Sequence, residues 1–292
     1  VADNSELDAA SGGDTIATDE ISGVHHQKMK MEFGLDGTAI EVSAGNPLPV
    51  TDPFLEAATG GVPNRSVALV FGRNPDIDTG SGFEAVWDGG GDYTGFDAVA
   101  AETVTVVSTS TDDDVGQSGA TGVLLSGLDL NYAPLSEVLA LDGTTPVTSV
   151  NSYLRLPNVT VTSGAPNVGT ITVAQSVTTA NVFCQIEVGY STSHTGVYTV
   201  PAGKTAYTKV IFASMGNATN GDIDLQVGIR LFGGVLQIPV EFALFGGGSS
   251  AITREFPIPF PLPEKTDLKF MASSSSNNMS VSVGIDFLLI DN

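Results

Sequence analysis

Apolar and polar residues alternate through the last quarter of this chain almost without error. Ile223, Leu225, Val227, Ile229 and Leu231 interleave with Asp222, Asp224, Gln226, Gly228 and Arg230. Leu236, Ile238, Val240, Phe242 and Leu244 repeat the pattern, as do Met279, Val281, Val283, Ile285, Phe287 and Leu289. A period of two places every second side chain on one face, so these segments read as half-buried β-strands. From Glu102 onward similar short runs follow one another: 102–110, 122–132, 136–142, 152–162, 169–174, 181–189, 196–200, 205–215, 222–231, 235–245, 252–262, 266–272 and 279–290. Against them stands one short helix, with Asp52 as N-cap, Pro53 in the first turn and Gly60-Gly61 as the stop. The pattern predicts an all-β protein, a jelly-roll-like antiparallel β-sandwich, single or in tandem, with an extended N-terminal arm.

The segments differ in character. Residues 1–50 form an acidic arm with a hairpin read over Lys28–Ser43, turning at Asp36-Gly37. An arm holding Asp3, Glu6, Asp8, Asp14, Asp19 and Glu20 and no cation before Lys28 orders only when something holds it, which points to packing in an assembly. Residues 51–97 read as the helix plus a long Gly/Asp-rich loop docked by the only tryptophan, Trp87. Residues 98–190 and 191–292 read as a β-sandwich module and a jelly-roll-like module, with the 190–196 stretch either a seam or a loop. Pro257, Pro259, Pro261 and Pro263 alternate with Phe256, Ile258, Phe260 and Leu262. Such a segment lacks N–H donors along one side, a device that guards a sheet edge from stray pairing.

Charge changes the picture most. The 33 acidic residues outnumber 11 basic ones, a net charge of −22. Self-repulsion of this size favours solubility and a saline medium, and it argues against nucleic acid as a partner. No apolar run approaches a membrane span of about 20 residues, and residues 1–20 lack the basic start of a secretory signal. With Cys184 as the only cysteine, no intrachain disulfide forms. Cys184 alternates in phase with Val182 and Ile186 and reads as core. These features together fit a chain made in a cytoplasm.

No motif carries chemistry. His25-His26 would point to opposite faces of a strand, and His194 has no partner at ligand spacing. Asp112-Asp113-Asp114 lacks the oxygen-ligand alternation of a calcium loop and reads as a solvated turn. Asp222 and Asp224 share a solvent-facing strand face. Gly89-Gly90-Gly91 and Gly246-Gly247-Gly248 are followed by neither a phosphate-loop lysine nor a helix. A glycan-cleaving sandwich would need two carboxylates about 5–9 Å apart; Glu84, Glu137, Glu187 and Glu241 are the available ones. No catalytic, cofactor-binding or metal-ligating residue is assigned, and the expectation is a non-enzyme without cofactor.

Several stretches resemble segments recurrent in virion structural proteins of tailed bacteriophages, of a marine-phage, capsid-decoration type. They are Ile21-Ser-Gly-Val-His-His-Gln-Lys-Met-Lys-Met-Glu-Phe-Gly-Leu-Asp-Gly-Thr38 with Asn46-Pro-Leu-Pro-Val50, Asn74-Pro-Asp-Ile-Asp78 with Val86-Trp-Asp-Gly-Gly90, Leu141-Asp-Gly-Thr-Thr-Pro-Val147, Tyr198-Thr-Val-Pro-Ala-Gly-Lys-Thr-Ala-Tyr207 and Pro263-Glu-Lys-Thr-Asp-Leu-Lys269. The resemblance spans about residues 20–292 and implies a non-catalytic role on a viral particle assembled in a host cytoplasm. The role it implies is that of a decoration (cement) protein, commonly a homotrimer, bound to the major capsid protein on the outer capsid surface. No membrane or nucleic-acid partner is expected. A collar, tail or fibre protein touching the host surface, with a pocket around Trp87 and Tyr93, is the alternative, and a carbohydrate-active enzyme the lesser one. The arm, the Trp87 loop and the loop tips are the expected contact segments.

Overall fold

The computed structural model describes residues 5–6, 15–16, 18–27, 32–33, 40–45, 52–216, 221–246 and 250–292. The chain divides into two compact units, Val1–Leu55 and Glu56–Asn292. The first holds three small antiparallel pairs: β1 (Ser5–Glu6) with β2 (Thr15–Ile16), β3 (Thr18–Ile21) with β4 (Val24–Gln27), and β5 (Glu32–Phe33) with β6 (Ile40–Glu41). Ser22 and Gly23 join β3 to β4 with φ of 56° and 80°, the positive values a two-residue type I′ turn demands. The Asp36-Gly37 turn lies outside the described residues. His25 and His26 stand opposite Glu20 and Asp19 in the β3–β4 register.

Helix α1 (Pro53–Ala58) forms where the capping signal placed it, with Phe54 N–H donating to Asp52 Oδ1 at 2.9 Å. At its other end Gly61 N–H donates to Glu56 O, and Gly60 takes a φ of 72°. The 51–97 segment is more than helix and loop, however. It contains β7 (Arg65–Ile77), a 13-residue strand, as well as β8 (Glu84–Ala85) and a 3-10 turn at Thr94–Asp97. Val67, Leu69 and Phe71 alternate with Ala68 and Val70, so both faces are apolar and no period of two shows. Pro75 also argues against a strand, and it is tolerated because β7 is a sheet edge whose register shifts between Asn74 and Ile77.

Seven strands follow: β9 (Glu102–Ser108), β10 (Ala120–Leu128), β11 (Pro134–Ala140), β12 (Val147–Tyr153), β13 (Arg155–Gly164), β14 (Ile171–Gln175) and β15 (Val182–Ile186). They make two sheets, ordered β11-β10-β13 and β12-β9-β14-β15. The sheets close on a shared core that includes Val104, Val106, Leu125, Leu156, Val159, Ile171 and Phe183. The remainder is β16 (Val197–Thr199), β17 (Lys204–Gly216), β18 (Ile223–Arg230), β19 (Leu236–Leu244), β20 (Ser250–Glu255), β21 (Pro261–Leu262), β22 (Asp267–Ser274) and β23 (Met279–Asp291).

These build the second sandwich together with β7. One sheet runs β20-β17-β23-β7 and the other β16-β22-β18-β19, with β21 beside β17 and β8 beside β22. Counting β7, β16, β17, β18, β19, β20, β22 and β23 as strands one to eight, the orders are 6-3-8-1 and 2-7-4-5. That is the double Greek key of a jelly roll. Its core gathers Ile211, Leu225, Val227, Phe270, Ile285 and Phe287. The other sandwich is an insertion between its first and second strands. The jelly roll therefore does not begin at 191: strand one comes from 65–77, and residues 187–196 carry the chain back from the insertion.

The proline segment sits at a sheet edge, as its lack of donors foreshadowed. It is not one continuous strand. Residues 256–260 arch away between β20 and β21, held by Phe256 N–H to Lys209 O and Phe260 N–H to Thr208 Oγ1.

Asp113 is not in a solvated turn. Its carboxylate is fully buried and accepts from Ser108 Oγ (2.6 Å) and from the N–H groups of Ala120 (3.0 Å), Val168 (2.8 Å) and Gly169 (2.8 Å). Burial pushes its pKa up, but these four donors outweigh burial and hold it below the usual value. A group with a depressed folded pKa stabilises above its unfolded pKa, about 3.9, and that stability is lost as pH falls through the folded value. Asp113→Asn puts an amide against donors and is expected to cost about 1–3 kcal/mol at neutral pH. Thermal unfolding should show that gap between wild type and variant narrowing below about pH 4.

Candidate binding surfaces

The Trp87 loop is an internal wedge rather than a solvent-facing pocket. Trp87 and Tyr93 are about 5% and 4% exposed, and Trp87, Tyr93 and Phe96 stack edge to face with ring centroids 5.5 and 5.1 Å apart. Burial lifts the Tyr93 phenol pKa well above its usual value. The indole N–H donates to Gly90 O at 2.8 Å, and a Cβ on Gly89 would lie 2.3 Å from the indole ring. The triple glycine is thus the cradle of the tryptophan. The expectation of a ligand pocket around Trp87 and Tyr93 is overturned for this reason: their rings are spent on packing β8, β16 and β15 together.

Asp88, next in the chain, ties this wedge to edge strand β7. Its buried carboxylate accepts from Arg73 Nε at 2.9 Å and from the backbone N–H of His194 at 3.2 Å, with His194 Nδ1 3.1 Å away. Arg73 also donates to the Tyr190 hydroxyl at 2.7 Å, and His194 stands edge-on to Phe71 and Tyr190. At the same seam the backbones touch: a Cβ on Gly72 would lie 2.4 Å from both Val86 O and Gly196 Cα.

A second charged knot joins the two sandwiches. Arg155 on β13 forks onto Asp267 on β22, Nε to Oδ1 at 3.0 Å and Nη2 to Oδ2 at 3.1 Å, and gives Nη1 to the carbonyls of Ala98 and Leu154. Arg230 on β18 donates to Asp267 Oδ2 at 2.6 Å and to Phe96 O, and Thr199 Oγ1 donates to Asp267 Oδ1 at 2.6 Å. Burial opposes the charged form of Arg155, yet the Asp267 carboxylate more than offsets it and holds the guanidinium charged. Beside the knot opens a cleft of about 370 Å3 lined by Tyr132, Phe232, Arg230 and Lys265.

The carboxylates named from sequence are scattered. Glu84 accepts from Gly91 N–H, Glu137 from the N–H groups of Val150 and Asn151, Glu187 from Gln185 and Glu241 from Gln226. No hydrogen bond joins any two of the four. Asp222 Oδ1 accepts from the N–H of Gly246, just past the end of β19. Cys184 is buried, donates to Leu156 O at 3.0 Å, and has its thiol pushed up to about 12, chiefly by burial. Among the described residues no three His, Cys, Asp or Glu side chains group as metal ligands, and no helix is long and apolar enough to cross a membrane.

Exposed apolar side chains are spread over the surface, and three groups of them share an element. On β7, Val67, Leu69 and Phe71 project from one face, Leu69 with 66% of its surface free. The strand pairs with β23 on one side; on its other edge the described contacts are the Gly72–Thr195 bridge and Gly196 N–H to Phe71 O. Among the described residues most of that edge has no backbone partner. Ile258 and Phe260 stand out on the proline arch, and Leu231, Phe232 and Val235 on the β18–β19 turn.

No family model matches the chain, and no curated protein does. Solved structures similar to it include infectious bursal disease virus, Gx strain (9% identity, TM-score 0.22, 82% of this chain and 77% of that one). The VP2 subviral particle of infectious bursal disease virus is another (9% identity, TM-score 0.21, 82% and 78%). Both are virus-particle structures, and superpositions this loose leave the functional argument to the chain's own surfaces.

Proposed function

We propose that this chain is a non-catalytic structural protein of a virus particle, a decoration (cement) protein seated on the outer surface of a shell built by a major capsid protein. The observation that carries the reading is the apolar edge of the jelly roll: β7 offers Val67, Leu69 and Phe71 and, among the described residues, a backbone edge paired only near Phe71 and Gly72. The arched proline segment guards a different edge, so one route of pairing is closed and another left open. A net charge of −22 suits the outside of a shell, away from packaged nucleic acid. The sequence resemblance to phage virion proteins supports the same reading. Self-association as a homotrimer, assembled in the host cytoplasm, belongs to it.

Added back to capsids stripped of it, the protein is expected to raise their resistance to heat. Leu69→Asp is expected to weaken binding at least about 30-fold, the effect of losing an interface hot spot of about 2 kcal/mol. Wild-type protein that leaves heat resistance unchanged, or a Leu69→Asp variant that binds as wild type, would sink the reading. Copy number by quantitative mass spectrometry gives the second check: on the order of hundreds per particle for decoration, set by shell symmetry. A handful would favour a collar, tail or fibre protein contacting the host, a reading to which the cleft beside Arg230 lends support.

A further inference from the structure

The cleft between the sandwiches carries a ligand chemistry that assembly does not require. Three of the chain's 11 basic residues, Arg155, Arg230 and Lys265, converge on it, against one lining carboxylate, Asp267. Asp267 is consumed by the two arginines and Thr199, so the wall keeps a net positive charge within a strongly acidic protein. Arg155 is buried, with four hydrogen bonds from its guanidinium. Arg230 directs Nε and Nη2 inward, while its Nη1 makes no hydrogen bond among the described residues and its side chain is 31% exposed. Lys265 makes no ion pair among the described residues; its ammonium lies 5.3 Å from the Phe232 ring centre and 5.9 Å from that of Tyr132.

The backbone singles out the same place. Six described non-glycine residues have positive φ: Ser22, Asn64, Tyr132, Ser191, Lys265 and Asn278. Four are Ser or Asn, which suit turns. The two long side chains forced into this region, Tyr132 and Lys265, come from separate loops and meet in the cleft. Strain concentrated on two residues that touch each other is a mark of a functional site. Phe232, edge-on to Tyr132 with centroids 5.8 Å apart, keeps 66% of its surface free at the mouth.

We propose that this cleft binds an acidic sugar of the hexuronate kind. Its carboxylate meets Lys265 Nζ and Arg230 Nη1, and the C–H face of its pyranose ring lies on Phe232, which Tyr132 buttresses edge-on. The exposed Phe232 ring favours a sugar ring over a bare inorganic anion, and about 370 Å3 admits a single sugar residue. A nucleic acid strand would also like cations beside aromatics, but the acidic body around the cleft repels a polyanion. The site stands on this geometry alone, wherever a particle carries the protein.

Saturation-transfer NMR on the full chain, with glucuronate, glucose and AMP as probes, tests it. Glucuronate is expected to bind with a Kd on the order of 1 mM, to weaken with added salt, and to exceed glucose. Lys265→Glu and Phe232→Ala, both at the solvent-facing rim, are each expected to cost roughly tenfold or more in affinity, while Lys265→Arg keeps binding. Circular dichroism and melting temperatures that match wild type establish that the variants fold. Absence of glucuronate binding, equal binding of glucose, binding untouched by Lys265→Glu in a folded variant, or tighter binding of AMP would each overturn the proposal.

Discussion

Asp267→Ala is expected to destabilise the protein by about 3–5 kcal/mol, the cost of removing one partner from a buried ion pair. Arg155 is 5% exposed at the side chain and cannot reach water without opening the seam. Arg230 can turn outward, so the penalty falls on Arg155. Because Arg155 belongs to the insertion and Asp267 to the jelly roll, the loss should appear as uncoupling: one thermal transition splitting into two. Paired replacement by apolar residues, Arg155→Met with Asp267→Leu, should cost less than Asp267→Ala alone, since no stranded charge remains. A single variant as stable as the pair would show that the knot does not hold the sandwiches together.

Trp87→Ala is the second large effect, about 3–5 kcal/mol for emptying an aromatic site. The indole fills the space between Gly89 and Tyr93 and closes the loop through Gly90 O. Trp87→Phe keeps the ring contact with Tyr93 and gives up one hydrogen bond, so it should cost nearer 1 kcal/mol beyond the smaller ring. Denaturant unfolding followed by circular dichroism compares the two. If alanine and phenylalanine are equally tolerated, the loop is an ornament on the seam rather than its wedge.

Strands that face water on one side and core on the other were legible from alternation: β17, β18, β19 and β23 lie within a few residues of their expected bounds. β7 was not, because apolar residues on both faces erase the period and Pro75 breaks it. β12 was missed because it too lacks alternation. It is Val-Thr-Ser-Val-Asn-Ser-Tyr, whose apolar residues fall at every third position and show no period of two, and its place is secured by Ser149 Oγ accepting from Val104 N–H. Asp113 looked like solvent-facing charge because sequence cannot show four donors converging on it. Trp87 was expected to dock its loop, and it does; the direction it faces depends on β16, more than a hundred residues onward. Nothing local marks Tyr132 and Lys265 as partners, since their meeting and their left-handed backbones are products of the tertiary fold.

The insertion between strands one and two also sets an order of events during synthesis. β7 leaves the ribosome before the insertion, yet its partner β23 follows every other strand of the jelly roll, with Arg65 opposite Ile290. The inserted sandwich has all its strands between residues 102 and 186 and can complete itself in the meantime. Until β23 arrives, β17 and β7 have no shared neighbour, and the sheet that carries the apolar edge does not exist. A nascent chain is therefore unable to display its assembly edge as a finished sheet, so binding to a neighbour waits on translation of β23.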